Sequence, residues 1–272
     1  MIKEIRAVCF TISVIAGIAV SGINIFIWPV QAETIKMATI DFCPFTCNPA
    51  NEGGKDGFMT DVLRYALETA GYDLEVEMMP YVRAVKETRE GRFEGIVVVG
   101  KLYAPDLVYP EIPVVSQRVT FIVKKGTDWQ YRGVNSLKNE TIGIVKGYHY
   151  VDEDLQAYLL SDENADHVSV LHGHNPTERN IKKLLRGRTD VYLEGEFSAL
   201  YVLRKMNAED KVVFSGFTRN AFDDYVAFSP KSKRAAELAL ILTRTLTALR
   251  KNGKLNSFLS PYIGRYDQGE LD

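Results

Sequence analysis

Short β-branched runs and amphipathic runs alternate along this chain, and the alternation is played through twice. Thr34–Ile40 alternates in polarity and reads as a strand. Phe58–Ala70 places Phe58, Val62, Leu63, Ala66, Leu67 and Ala70 on one helical face, and Gly71 stands where such a helix would stop. Leu74–Met78 reads as a strand, Val82–Arg89 as a helix ended by Gly91, and Gly95–Val99 as a wholly apolar, buried strand. Strand, helix, strand, helix, strand is the order of a parallel sheet with right-handed crossovers, because parallel neighbours need a long connection.

The second series has strands at Val119–Lys124, Thr141–Val145, Val168–Leu171 and Asp190–Leu193. Helices fall at 151–160, Thr177–Leu185 and Phe197–Lys205. Two short strands follow, Val212–Phe214 and Tyr225–Phe228. Ala235–Arg250 is a long amphipathic helix with Leu238, Leu242, Leu246 and Leu249 inward, and a short helix at Leu255–Leu259 follows Gly253. The long helix has no sheet of its own, so it is expected on the first unit. The expected division is a first lobe at 33–125, a second at 126–223, and a return to the first at 224–272. The chain would cross between lobes near 124–128 and 222–226, with a ligand cleft between them where strand ends converge.

Residues 1–32 are set apart from this pattern. Lys3 and Arg6 precede an uncharged run from Ala7 to Trp28, and Val30-Gln31-Ala32 closes it with small residues at the −3 and −1 positions of a cut after Ala32. That is the layout of a cleaved secretory signal peptide, with an uncleaved anchor as the rival reading. No later apolar run has the length of a membrane span. With 33 Lys+Arg against 35 Asp+Glu the formal net charge is −2, which argues against a dedicated nucleic-acid binder. After cleavage two cysteines remain, Cys43 and Cys47, and in an oxidising compartment their spacing reads as a local disulfide.

The chain resembles the family-3 extracellular solute-binding proteins, the group that contains the periplasmic polar-amino-acid receptors of ABC transporters. The segments that carry the resemblance are Gly57-Phe58-Met59-Thr60-Asp61-Val62, Pro80-Tyr81-Val82-Arg83-Ala84, Gly91-Arg92-Phe93-Glu94-Gly95-Ile96, Leu185-Arg186-Gly187-Arg188-Thr189-Asp190 and Ala227-Phe228-Ser229-Pro230. Cys43-Pro44-Phe45-Thr46-Cys47 and Ala104-Pro105-Asp106-Leu107-Val108-Tyr109-Pro110-Glu111 are similar to the CPYNC-like and APDFVFPE-like segments of one subgroup. The resemblance implies an α/β, type II periplasmic-binding fold with two crossover strands. It also implies a monomer that closes its lobes around a small polar solute.

Site residues follow from the same segments. Phe45, in the loop after the first strand, is a candidate to stack on the solute. Tyr81 and Arg83 border the cleft in the family, and Arg83 offers a planar fork for a carboxylate; its bland alternative is a surface ion pair with Glu87 or Glu90. Val99 and Gly100 end a buried strand, so their backbone groups are free to bind. Tyr103 stands where the amino-acid receptors carry a carboxylate-clamping Arg, which makes an ordinary α-amino acid in the usual pose doubtful; Arg83 or Arg118 would have to substitute. Tyr148 and His149 replace the family's small residues at a strand-to-helix turn. Glu194, rather than Glu196, is expected to face the cleft and meet a cation. His172-Gly173-His174 reads as a turn rather than a metal site. No metal and no cofactor are expected.

These readings converge on a periplasmic receptor that delivers a small polar, amino-acid-like solute to an inner-membrane ABC permease. A ligand sensor docking on a membrane signalling protein is the first alternative. A periplasmic enzyme resembling the cyclohexadienyl dehydratases, with Glu194 as general acid, is the second.

Overall fold

The computed structural model describes residues 32–264. The expected signal peptide lies outside the described residues, apart from Ala32. Among the described residues no helix is long and apolar enough to cross a membrane.

The first series forms β1 (Glu33–Thr39), α1 (Phe58–Thr69), β2 (Tyr72–Met78), α2 (Tyr81–Arg89) and β3 (Gly95–Val99). β1 pairs in parallel with β2 and with β3. The second contains β4 (Val115–Lys124), β5 (Ile142–Val145), α3 (Glu153–Leu160), β6 (Val168–Leu171), α4 (Pro176–Leu185), β7 (Val191–Gly195) and α5 (Glu196–Lys205). There β5 pairs in parallel with β6 and β7.

One expectation is overturned in the segment that follows. Val212–Phe214 and Tyr225–Phe228 are the ends of a single strand, β8 (Val212–Phe228). Its middle, Ser215–Asp224, is polar and carries Gly216 at φ 131°, so it lacks the alternation that marks a strand. It is extended because β4 pairs with it antiparallel along almost its whole length, with register shifts at Arg118/Thr120 and Thr120/Ile122. β8 then continues antiparallel to β3. The sheet order is β2-β1-β3-β8-β4-β7-β5-β6, so the antiparallel β8/β4 pair joins two parallel halves.

Helices cover both faces of each half. In the first half, Ile35, Met37 and Val97 pack with Leu63 and Leu67 of α1 and with Leu238, Leu242 and Leu246 of α6 (Ala235–Lys251). Ala38, Ile96 and Val99 face the other way, onto Ala84 and Val85 of α2. The C-terminal helices α6 and α7 (Leu255–Ile263) therefore serve the first core, as their lack of a sheet requires. In the second half Phe121, Ile142, Ile144 and Leu193 pack with Leu155 and Leu159 of α3, while Ile122 and Tyr192 pack with Ile181, Leu184 and Leu203.

Val114 and Val115 belong to the first core and Val119 and Phe121 to the second. The chain thus passes between cores within 115–119, earlier than the expected 124–128. On the way back, Phe222 packs on the second core and Val226 lies in the first.

Candidate functional site

Two pairs of parallel strands, one from each half and opposite in direction, end at one place. β1 and β3 of the first half and β5 and β7 of the second run toward the middle of the sheet, and the loops that leave their C-terminal ends enclose a cavity of about 500 Å³. From the first half it is lined by Ile40, Phe42, Tyr81 and Val98–Tyr103. The second half supplies Gly147–Val151, Glu194, Gly195 and Ser198. Gln117, Val119 and Phe222–Tyr225 reach it from β4 and β8, where these strands cross between the cores.

The crossing strands bring in a buried acid. Val115 stands opposite Asp224 and Gln117 opposite Phe222, so Gln117 and Asp224 are diagonal neighbours on one face of the β4/β8 pair. Asp224 is 8% exposed. Its Oδ2 accepts a hydrogen bond from Gln117 Nε2 at 3.0 Å, while Gln117 Oε1 accepts from the N–H of Phe197 at 3.3 Å. Oδ1 of Asp224 has no hydrogen-bond partner among the described residues. Burial pushes the Asp224 carboxyl up to about 7; the Gln117 bond opposes the rise and the neighbouring Asp223 adds to it.

Glu194 is buried differently. Its Oε2 accepts from Thr177 Oγ1 at 2.6 Å and from Tyr192 Oη, and its Oε1 accepts from the N–H of Gly195 at 2.9 Å. Burial raises this carboxyl, and the bonds from Thr177, Tyr192 and Gly195 hold it back. The acid is at the cavity wall with its acceptors already engaged.

Hydroxyls and rings make up much of the remaining wall. The Tyr81 hydroxyl is buried with no hydrogen-bond partner among the described residues, and burial pushes it up to about 12. Tyr81 and Tyr103 meet edge to face at 6.2 Å. Lys101 sets its ammonium over the rings of Tyr225 (4.4 Å) and Tyr109 (5.4 Å). Among the described residues no ion pair within 4.0 Å reaches Asp223, Asp224 or Glu194, and no arginine lines the cavity.

Seven of the ten residues singled out in the sequence meet here: Tyr81, Val99, Gly100, Tyr103, Tyr148, His149 and Glu194. Three do not. Phe45 is 0% exposed in the first core, between Phe42 at 4.9 Å and Phe58 at 5.5 Å; it is Phe42, on the near side of the same loop, that lines the cavity. Arg83 points to solvent and pairs with Glu87 at 3.9 Å, one helical turn on. Arg118 alternates with Gln117 and so lies on the opposite face of β4, with its guanidinium 4.5 Å from the Phe217 ring. Phe42, Gln117, Tyr150, Phe222, Asp224 and Tyr225 were missed. The alternation of Val115-Ser116-Gln117-Arg118-Val119 carried the signal for Gln117.

The Gly147–Val151 wall is held from behind. Asp152, fully buried, accepts from the N–H of Arg219 at 2.9 Å and from the N–H and Nδ2 of Asn220 at 3.0 and 2.9 Å. Val151 just before it sits at φ 33°, an outlier for a β-branched residue. Cys43 and Cys47 form a disulfide that closes the loop presenting Phe42. Among the described residues no group of three or more His, Cys, Asp or Glu stands together to hold a metal ion. A second concavity, about 390 Å³, lies on the outer edge of the first half by Glu33, Glu94 and Arg234, whose charges pair with one another.

Neither a known sequence-family profile nor a curated protein matches the chain. Solved structures do match in shape. An ancestral arginine-binding protein bound to arginine aligns with TM-score 0.62 at 20% identity, over 86% of this chain and 100% of that one. A histidine kinase sensor domain with similarity to periplasmic binding proteins aligns with TM-score 0.62 at 16% identity, over 86% and 97%. An ancestral amino acid-binding protein, a precursor of cyclohexadienyl dehydratase, aligns with TM-score 0.59 at 16% identity, over 85% and 95%. The fold is that of the type II periplasmic binding proteins.

Proposed function

We propose that this chain is a solute receptor that works outside the cytoplasm and captures a small polar, amino-acid-like molecule by closing its two halves. One observation carries the reading: the C-terminal ends of parallel strands from both halves converge on one cavity, with the crossing strands at its edge. Rotation about the β4/β8 crossing would bring Tyr148 and Ser198 toward Tyr81 and Tyr103 around a bound solute. The disulfide fits an exported protein. Delivery to an inner-membrane ABC permease, after removal of residues 1–32, completes the proposal.

A sensing role is the second reading, favoured by the likeness to a histidine kinase sensor domain. Both roles need the same cavity and differ in the partner of the closed form. Co-purification from membranes with a permease or with a kinase separates them. The dehydratase reading is weaker, because Glu194 is engaged by Thr177, Tyr192 and Gly195 and is poorly placed to give up a proton.

The test is a thermal-shift screen of the full chain against amino acids, opines, polyamines, small carboxylates, aromatic acids and short peptides. A ligand at 100 times its Kd adds about 2.7 kcal/mol and raises Tm by roughly 5–10 °C. A folded protein that no member of the panel shifts would refute the proposal.

A further inference from the structure

We infer that the solute carries an organic cation, an ammonium on an apolar or aromatic body, which sits on Asp224 among the rings of Tyr81, Tyr103 and Tyr148. The inference rests on the receptor reading and names the chemistry of its ligand.

Asp224 is more than nine-tenths buried, yet no Lys, Arg or His among the described residues pairs with it. Gln117 satisfies one carboxylate oxygen, and the other is left for whatever enters the cavity. A buried carboxylate without a counter-charge is costly, and a cation supplied by the ligand removes that cost. Glu194 does not offer the same site, since Thr177 and Tyr192 already donate to its Oε2 and Gly195 to its Oε1.

The aromatic groups agree with the acid. Tyr81 and Tyr103 from the first half and Tyr148 from the second line the same cavity as Asp224. Ring faces attract a cation, most strongly when it is desolvated, and the buried Tyr81 hydroxyl can accept a hydrogen bond from an ammonium. The same wall is a poor host for a carboxylate. It presents three acids and no guanidinium fork, and its one lysine is already seated on two tyrosine rings.

The test compares two probes of one shape and opposite charge. Isothermal titration of the full chain at pH 8 uses 2-phenylethylammonium and 3-phenylpropanoate. The ammonium is expected to bind at least about tenfold more tightly. Asp224→Asn should lose at least about tenfold in ammonium affinity and leave 3-phenylpropanoate unchanged or better bound. Tyr103→Leu, at an exposed ring where folding is not at stake, should weaken the ammonium several-fold. Equal or tighter binding of 3-phenylpropanoate overturns the inference, as does an Asp224→Asn protein with a normal melting curve and undiminished ammonium affinity. Absence of ammonium binding at millimolar concentration overturns it too. In that case a shift from any other member of the screening panel leaves the receptor reading standing, and no shift from any member removes both.

Discussion

Gln117 and Asp224 are joined by a 3.0 Å hydrogen bond between the two strands that connect the halves of the molecule. Gln117 also accepts from the N–H of Phe197, at the start of α5 in the second half. One side chain thus links a cavity-facing carboxylate, a crossing strand and the start of α5, whose Phe197 is buried in the first core while Ala199 and Leu203 pack in the second half. A change in the charge of Asp224 acts directly on that link.

Asp224→Asn should stabilise the empty protein at pH 8. Burial raises the carboxyl from 3.8 to about 7, so within that window the folded chain holds a proton that the unfolded chain has released. Stability then falls as pH rises through the window and levels off above it. The amide keeps the Gln117 contact without the charge. The variant should gain about 2–4 kcal/mol over the parent at pH 8 and nothing near pH 4. Asp223, Glu194, Lys101, His149 and the tyrosines face the cavity in both proteins, so the difference between their denaturation curves isolates Asp224. Equal stabilities at pH 8 would show that water reaches the carboxylate.

Phe42 and Phe45 should separate binding from stability. Phe45 is sealed in the first core, so Phe45→Ala should cost about 3–5 kcal/mol in urea denaturation. Phe42 is partly exposed at the cavity wall, and its truncation should cost about 1 kcal/mol while weakening any solute that shifts Tm. The opposite pattern would return the stacking role to Phe45.

Arg83→Ala should change neither solute affinity nor, beyond about 0.5 kcal/mol, stability. The guanidinium is solvent-exposed, and its pair with Glu87 spans 3.9 Å. Calorimetry with any solute found in the screen decides the matter, and a large loss of affinity would mean that Arg83 turns into the cleft on closure.

Parallel strands and helices were legible because each has its own period and its own glycine stop. Gly71 and Gly91 stand at positive φ just past α1 and α2, where only glycine is at ease. The middle of β8 was not legible, since Ser215–Asp224 is extended by pairing with β4 and not by its own composition. Asp224 was lost with it. Positions at strand ends, such as Val99, Gly100 and Glu194, could be placed at the cavity from the sequence because the end of a buried strand has a known place in the sheet. Phe45 and Arg83 were misplaced because the sequence fixes a loop or a helix start but not which neighbouring side chain turns inward.

Asp152→Ala should both destabilise the protein and blunt binding. Its carboxylate takes the backbone N–H groups of Arg219 and Asn220 and the Asn220 amide, and it sits at the start of α3. Truncation leaves two backbone donors without acceptors inside a strand that crosses the molecule, at about 1–3 kcal/mol for each buried group left unsatisfied. It also frees the Gly147–Val151 wall, where Val151 is held at φ 33° and Tyr150 accepts from the N–H of Val145 at 2.9 Å. A Tm lower by roughly 5–15 °C is expected, with solute affinity falling even where the variant is fully folded. Asp152→Asn keeps one acceptor oxygen and should fall between the two. A normal Tm with reduced affinity would assign Asp152 to the cavity wall alone, and a reduced Tm with full affinity would show that the wall is held by Tyr150 and not by Asp152.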